Sequence, residues 1–374
     1  MGNKKNQKSI CISFLGNIDY DSRTRNIYQT LKAQNYIVNV ISFDWLTNNF
    51  NTQLGEVTIY KLSKNFSSLL FYIKFSTLLL KRLINIKSAI YFAEDIYTLP
   101  IVTIFAKLKG AKVFYDCREL FGYLAGLKKR KILQFLLKII ERLFITHVDL
   151  IITTGELDSE FIEKEYGLTK TIVIRNLPKY YKPLKPINFC QLLNIPTEKK
   201  ILLYQGVVLH GRGLKYIFEA LTELKNYVLI ILGAGEELTY YKSLSKKLVI
   251  ENKIYFLGKI KQNELLKYTA GADIGLSLIE NLSLSYYYAL PNKLFEYVMA
   301  EIPVLVSNLP QMEKVVNTYE IGLTVKDSNT EEIKNALKKL EEETFYKKIK
   351  NNCKKASNDL NWENEVKKLL SFLS

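Results

Sequence analysis

Residues 286–307 read YYYALPNKLFEYVMAEIPVLVS, a helix entered at Pro291 and followed at once by a short apolar strand at 303–306. Proline costs nothing at a first helical position, where its missing N–H would have no partner. The N–H groups of Asn292, Lys293 and Leu294 are then expected to point at an anion, with the Lys293 ammonium beside them. Glu296 stands one turn further on, where a carboxylate can accept hydrogen bonds from two adjacent ribose hydroxyls. Leu294, Phe295 and Val298 fall on the side that faces a core.

Outward from this segment the same alternation of short apolar runs and longer helical patterns fills the chain. In the first half, strands are expected near 10–15, 37–43, 89–93, 112–116, 149–153 and 171–174; in the second, near 201–205, 227–232, 253–257, 273–278, 303–306 and 322–325. Near-continuous apolar strands separated by helices are the pattern of parallel βαβ units covered on both faces. Each half is therefore a doubly wound, Rossmann-like α/β unit. Pro178, Pro183 and Pro186, with the loss of periodicity around them, set the boundary near 185. The expected division is 1–185, 186–350, and a terminal helix in 351–374 that crosses back to the first domain. Ligands of such sheets bind beyond the carboxyl ends of the strands, so the groove between two facing domains is the expected site.

Two strand-end loops in the second half stand out. GVVLHGRGL, residues 206–214, turns at Gly206 and displays Arg212 between Gly211 and Gly213, which suits a diphosphate; a plain glycine turn with a solvated arginine is the simpler alternative. Gly233-Ala234-Gly235-Glu236 follows the next strand and opens a helix, where backbone N–H groups can meet an anion. Glycine serves a purely conformational purpose in such turns equally well.

Composition limits the alternatives. With 374 residues, 48% hydrophobic and 24% charged, the chain fits two ordinary globular domains rather than a disordered or fibrous protein. Four scattered cysteines and two isolated histidines, His147 and His210, give no metal-ligand spacing and no disulfide framework. The polar start MGNKKNQKS has no apolar signal region, and Asn6 stands where myristoylation would need Ser or Thr; a cytoplasmic protein is expected. Lys and Arg outnumber Asp and Glu by 28 to 15 in residues 1–185, a charge of +13, but only by 25 to 22 in the remainder, a charge of +3. The first half thus attracts an anionic partner. Two stretches there, Phe66–Ile86 and Leu124–Ile145, are apolar but broken by basic residues, so neither spans a bilayer. Most of their leucines are expected to pack on the sheet, leaving Lys128-Lys129-Arg130-Lys131 exposed to an anionic membrane surface.

The succession GVVLHGRGL, ILGAGEE, YYYALPNKLFEYVMAEIPVLVS and NWENEVKKLL resembles the family-4 glycosyltransferases of the GT-B fold. In the first half DSRTRN and YDCREL extend the resemblance more loosely. It implies a retaining, metal-independent hexosyl-type transfer from a UDP- or GDP-sugar to a cell-surface glycan or lipid-linked acceptor, without a cofactor. It also assigns Glu296 to the donor ribose, and places the Asn292–Leu294 backbone, with Gly206, Gly233, Gly235 and Pro291 around it, at the diphosphate. Arg212 falls at a basic position for the same diphosphate, and Lys293 is taken to share the stabilising of the leaving group. Two positions depart from the family pattern: Val207 stands where an arginine is common, and Tyr288 where a glutamate is.

The Gly16–Arg23 loop resembles the family's acceptor side, so Gly16, Asp21 and Arg23 are expected there, with helix capping the alternative for Asp21 or Ser22. Asp116 and Arg118 end a strand where the family often has a histidine two residues after the aspartate. Arginine stays protonated, so Arg118 suits anion binding or a salt bridge rather than proton transfer. Two other readings remain open: a nucleotide-sugar epimerase of the same fold, and a basic non-catalytic module on a membrane surface. The first needs acid and base groups around the sugar in which this chain is poor. The second gives no reason for Lys293 and Glu296 at one helix start. No nucleic-acid partner is expected, and the oligomeric state is left open.

Overall fold

The computed structural model describes residues 8–45, 52–63, 68–182 and 185–373. Its strands form two sheets. The first holds β1 (Ser9–Ser13), β2 (Ile37–Asp44), β3 (Thr52–Leu54), β4 (Val57–Lys61), β5 (Ile90–Ala93), β6 (Lys112–Cys117), β7 (Leu150–Thr153) and β8 (Thr171–Val173), in the order β3-β4-β2-β1-β5-β6-β7-β8. Every pair is parallel except β3 with β4. The second holds β9 (Lys200–Gln205), β10 (Tyr227–Leu232), β11 (Ile254–Gly258), β12 (Ile274–Ser277), β13 (Val304–Ser307) and β14 (Gly322–Val325), all parallel, in the order β11-β10-β9-β12-β13-β14.

In each sheet the chain starts in the middle and winds first to one side, then to the other. The order reverses between β1 and β5 in the first and between β9 and β12 in the second. At such a reversal the neighbouring loops diverge and leave a crevice at the carboxyl ends of the strands. The loops after β1, β5 and β6 carry Gly16–Arg23, Glu94 and Arg118; the loop after β9 carries Gly206–Gly213. The central strands are buried on both faces, as the successive pairs Cys11 and Ile12, and Leu202 and Leu203, show, which fixes where those loops emerge.

The twelve expected strands are all present, within two residues at either end. The hairpin β3–β4 was not expected. It turns at Gly55, whose φ of +59° is a left-handed conformation favoured by glycine, and it sits at the sheet's edge, where no continuous apolar run is needed.

The chain divides after Arg175 rather than near 185. The segment Asn176–Pro178 belongs to the second unit: Leu177 joins its core, and the Pro178 carbonyl accepts from the Trp362 N–H at 2.9 Å. The tail also differs from the expected 351–374. Helix Glu343–Asp359 stays with the second core through Ile349, Cys353 and Ala356. Helix Trp362–Ser371 begins in the second unit, and from Val366 on the chain belongs to the first. There the Leu373 carbonyl accepts from Lys8 Nζ at 2.8 Å and from the Tyr36 hydroxyl at 3.2 Å.

Candidate functional site

The helix after Leu290 runs Asn292–Met299, with Pro291 as its N-cap at φ −76° and ψ 143°. Pro291 therefore precedes the helix instead of opening it, and no side chain caps the helix start. This leaves the first N–H groups to face outward. One of the three expected donors is already used, since the Leu294 N–H reaches the Pro291 carbonyl at 3.1 Å. Asn292 and Lys293 supply the remaining pair. Leu294, Phe295, Tyr297 and Val298 are buried, as an amphipathic helix packed on its sheet requires.

Lys293 is 9% exposed, with its Nζ 3.9 Å from the centroid of the Tyr204 ring. It forms no ion pair with a described residue. Burial, reinforced by the positive charge of Arg212, pushes its ammonium well below the usual lysine range, and Glu296 only partly opposes this. A buried ammonium is costly unless something negative meets it. Arg212 is held in turn against a ring, with its guanidinium carbon 4.8 Å from the centroid of Tyr286. The two cations are thus braced by aromatic faces rather than neutralised by carboxylates.

Glu296, half-buried, accepts from Gln205 Nε2 and, at 3.3 Å, from Gln262 Nε2. Thr269 Oγ1 donates to Gln205 Oε1 at 2.8 Å and orients that amide. Burial pushes the Glu296 carboxyl up, against the pull of these hydrogen bonds and of Lys293. Tyr204, Gln205 and Gln262 are parts of the site that the sequence reading missed. Tyr204-Gln205 closes β9 immediately before Gly206, and that position at a strand's carboxyl end was the available signal. Val207 is 57% exposed, so the place where a second arginine is common in the family carries no charge here. Tyr288 ends the short helix Leu284–Tyr287, and its carbonyl accepts from Gln311 Nε2.

The glycines of the second loop have a packing role. A Cβ on Gly233 would lie 1.9 Å from the Gly206 carbonyl oxygen, and one on Gly235 would lie 2.1 Å from that of Val208. The loops after β9 and β10 are stitched together here by Val208 N–H to the Ala234 carbonyl at 3.0 Å and Glu237 N–H to the Val208 carbonyl at 3.2 Å. Gly206 itself has φ +122°, with open space where a side chain would stand. The conformational alternative is therefore observed for Gly233 and Gly235.

The expected first-half residues also come together, but in a saturated cluster. Arg23, 1% exposed, donates through Nε and Nη2 to the two oxygens of Asp116 at 2.7 Å each and through Nη1 to the Ile174 carbonyl at 2.7 Å. Its guanidinium is engaged inside the unit, which corrects the expectation that it faces an acceptor. Asp21 caps its helix by accepting from the Thr24 N–H at 2.7 Å. Arg118 takes the salt-bridge alternative: it meets Asp21 at 2.6 Å, Glu94 at 2.7 Å and Asp116 at 3.3 Å. Despite burial, these carboxylates hold Arg118 above its usual range. Glu94 was absent from the sequence reading. Burial pushes its carboxyl up to about 8, against Arg118 and with Asp116 and Asp21; Thr24 Oγ1 donates to Oε2 at 2.6 Å, while Oε1 has no partner. Gly16 sits in the loop after β1, its carbonyl accepting from the Ser42 hydroxyl at 2.7 Å. No group of metal-ligating side chains occurs among the described residues.

With this geometry established, likeness to known proteins places the chain. Residues 189–358 match the family described as glycosyl transferases group 1. An uncharacterised glycosyltransferase of Methanocaldococcus jannaschii, MJ1607, is 25% identical over 190 residues; the match spans 50% of this chain and 47% of that protein, so the chain covers about half the length of this relative. Sucrose-phosphate synthase from Thermosynechococcus elongatus superposes with a TM-score of 0.81 over 98% of both chains at 14% identity. The HepE protein of Anabaena, solved with UDP, gives 0.72 over 98% of this chain and 99% of its own at 13% identity. Residues 189–358 thus resemble glycosyl transferases group 1, and the chain as a whole has the two-sheet GT-B fold of these neighbours.

Proposed function

We propose that the protein is a retaining, metal-independent hexosyltransferase that takes a sugar from a UDP- or GDP-sugar and transfers it to a cell-surface glycan or a lipid-linked acceptor. The observation that carries this reading is Lys293, a buried ammonium without a carboxylate partner at an uncapped helix start. A diphosphate supplies the missing negative charge, and its oxygens match the N–H groups of Asn292 and Lys293. When the bond between sugar and diphosphate breaks, charge grows on the leaving oxygen. Lys293 and Arg212 then stabilise it from fixed positions, the kind of preorganised electrostatics that contributes most to many rate enhancements. Glu296, steadied by Gln205 and Gln262, takes the ribose. HepE was solved with UDP, which supports a nucleotide diphosphate of this class.

The first unit supplies a rigid acceptor side, with Asp116 and Arg118 locked in place rather than free to move protons. In this reading the protein works at the cytoplasmic face of the membrane, as a peripheral protein. No described helix is long and apolar enough to cross a bilayer.

The test is thermal. UDP or GDP at about 100 times its dissociation constant should stabilise the protein by about 2.7 kcal/mol, read as a raised melting temperature. A panel of UDP-, GDP- and dTDP-sugars then identifies the donor by hydrolysis. No shift with any nucleotide diphosphate would overturn the donor site, and transfer abolished by a chelator would overturn its metal independence.

A further inference from the structure

Helix Lys131–Ile145 is turned the wrong way round for a helix that only covers a sheet. Its inward positions are Gln134, Leu137, Glu141 and Ile145, spaced i, i+3, i+7 and i+11. Two of these are polar and fixed by hydrogen bonds: Gln134 Nε2 donates to the Gly122 carbonyl at 2.8 Å, and Glu141 accepts from the Tyr115 and Tyr166 hydroxyls at 2.7 and 2.8 Å. These bonds set the helix's rotation. The opposite stripe, Ile132, Leu136, Ile139 and Leu143 with Phe135 beside it, is entirely apolar and lies outside; Ile132 is 79% exposed and Phe135 62%. A helix with polar groups inward and an apolar stripe outward has its hydrophobic side directed at something other than its own sheet.

The neighbouring helices repeat the feature. Helix Leu99–Leu108 packs between Lys131–Ile145 and helix Ser68–Ile84. It exposes Ile104 and, at 82%, Leu108. Ser68–Ile84 exposes Ile73, Leu80 and Ile84, spaced i, i+7 and i+11 on one face. The three helices therefore share one apolar face. Of the eleven described leucines in the two stretches, six are buried or half-buried, as expected, and the other five are exposed. At its edge Lys128, Lys129, Arg130 and Lys131 are exposed, and none pairs with a described carboxylate.

We infer that this three-helix face is an interfacial membrane-docking surface for anionic bilayers, lying in the headgroup region with its apolar stripes inserted. It extends the peripheral placement proposed above by naming the surface and by making apolar insertion, not the basic cluster alone, the source of binding. Free cations beside an apolar stripe fit an acidic lipid surface. A second copy fits poorly, because the only acid of the exposed helix, Glu141, is buried and self-pairing would set basic edges together.

The experiment is co-sedimentation of the full chain with vesicles of phosphatidylcholine alone or of about three parts phosphatidylcholine to one part phosphatidylglycerol. The parent should bind the anionic vesicles and be weakened by salt. Combined Ile132→Ser, Leu136→Ser, Ile139→Ser and Leu143→Ser should weaken binding at least about tenfold while leaving the melting temperature unchanged, since the replaced side chains are exposed. Phe135→Trp should show a blue-shifted emission on the anionic vesicles only. Serine variants that bind as well as the parent would overturn the inference. So would a parent that ignores vesicles but forms a dimer the serine variant splits, which would assign the face to a second copy. The assay contains no sugar donor, so its failure leaves the transferase reading standing, and failure of the nucleotide thermal shift leaves this one.

Discussion

Both units place cationic side chains at the carboxyl ends of a parallel sheet, yet they treat the charge in opposite ways. In the first, Arg23 and Arg118 face Asp21, Glu94 and Asp116, and each guanidinium is matched by carboxylate oxygens. In the second, Lys293 and Arg212 lie against tyrosine rings, and Glu296, whose charge acts on Lys293, is held by glutamines instead. Matched charge makes a rigid wall, because removing either member strands the other. Unmatched charge makes a receptor, because the desolvation cost of the cation has already been met by the fold when an anion arrives. The difference teaches that a guanidinium at a strand end is not by itself a binding group; its counter-ions decide.

Four substitutions break or sharpen this contrast. The largest effect is expected from Arg23→Met, which leaves the buried Asp116 with only the longer Arg118 contact. It should cost the first unit about 3–5 kcal/mol in denaturant unfolding and leave UDP affinity in the second unit unchanged. A loss of UDP affinity as large as the loss of stability would mean that the two clusters are not separable.

Next is Lys293→Met, expected to lower turnover about 100-fold or more while raising the UDP dissociation constant much less, as for a group that acts mainly on the transition state. Unchanged turnover would sink its assigned role. Glu296→Gln should weaken UDP binding about tenfold by loss of a charged hydrogen-bond acceptor. The effect should shrink for a 2′-deoxy nucleotide, measured by titration calorimetry; equal losses for both would remove the ribose from its account.

The fourth effect concerns pH. The Glu94 carboxyl titrates near 8 in the folded protein, above its unfolded value, so between those values the folded state holds a proton that the unfolded state lacks. Its stabilising contribution is complete below the unfolded pKa and is lost as pH rises through about 8, at up to about 1.4 kcal/mol per pH unit. Glu94→Gln imitates the protonated form and should flatten that slope in urea unfolding. Asp95, Glu141 and Glu296 are raised in the same direction, so part of the slope should persist. A slope identical to the parent's would place the proton elsewhere.

Much of the fold was legible because buried parallel strands advertise themselves as apolar runs. The edge hairpin was not, since Thr52–Leu54 is only three residues long and Val57–Lys61 has no continuous apolar run. At the nucleotide end the helix start, Lys293 and Glu296 followed from local spacing alone. The supports did not: Gln205 reaches Glu296 across 91 positions of chain, and Glu94 meets Arg118 across 24. Residue type and spacing gave Arg23 and Arg212 similar prospects, and only tertiary pairing separates them. The orientation of helix Lys131–Ile145 was hidden for a related reason. Its periodicity defines two faces, and the tyrosine hydroxyls that choose between them come from β6 and from helix Glu156–Tyr166.

The return of the chain from Val366 into the first unit has a bearing on biosynthesis. Lys8 and Tyr36 bind the carbonyl of Leu373, so the first unit is completed by a residue that follows them by 365 and 337 positions. At about 5–20 residues per second, its opening strands wait on the order of ten seconds or longer while the whole second unit is translated. Of the two units, the one begun first is thus the last to close, and its strand edges stay unpaired against late contacts during that interval.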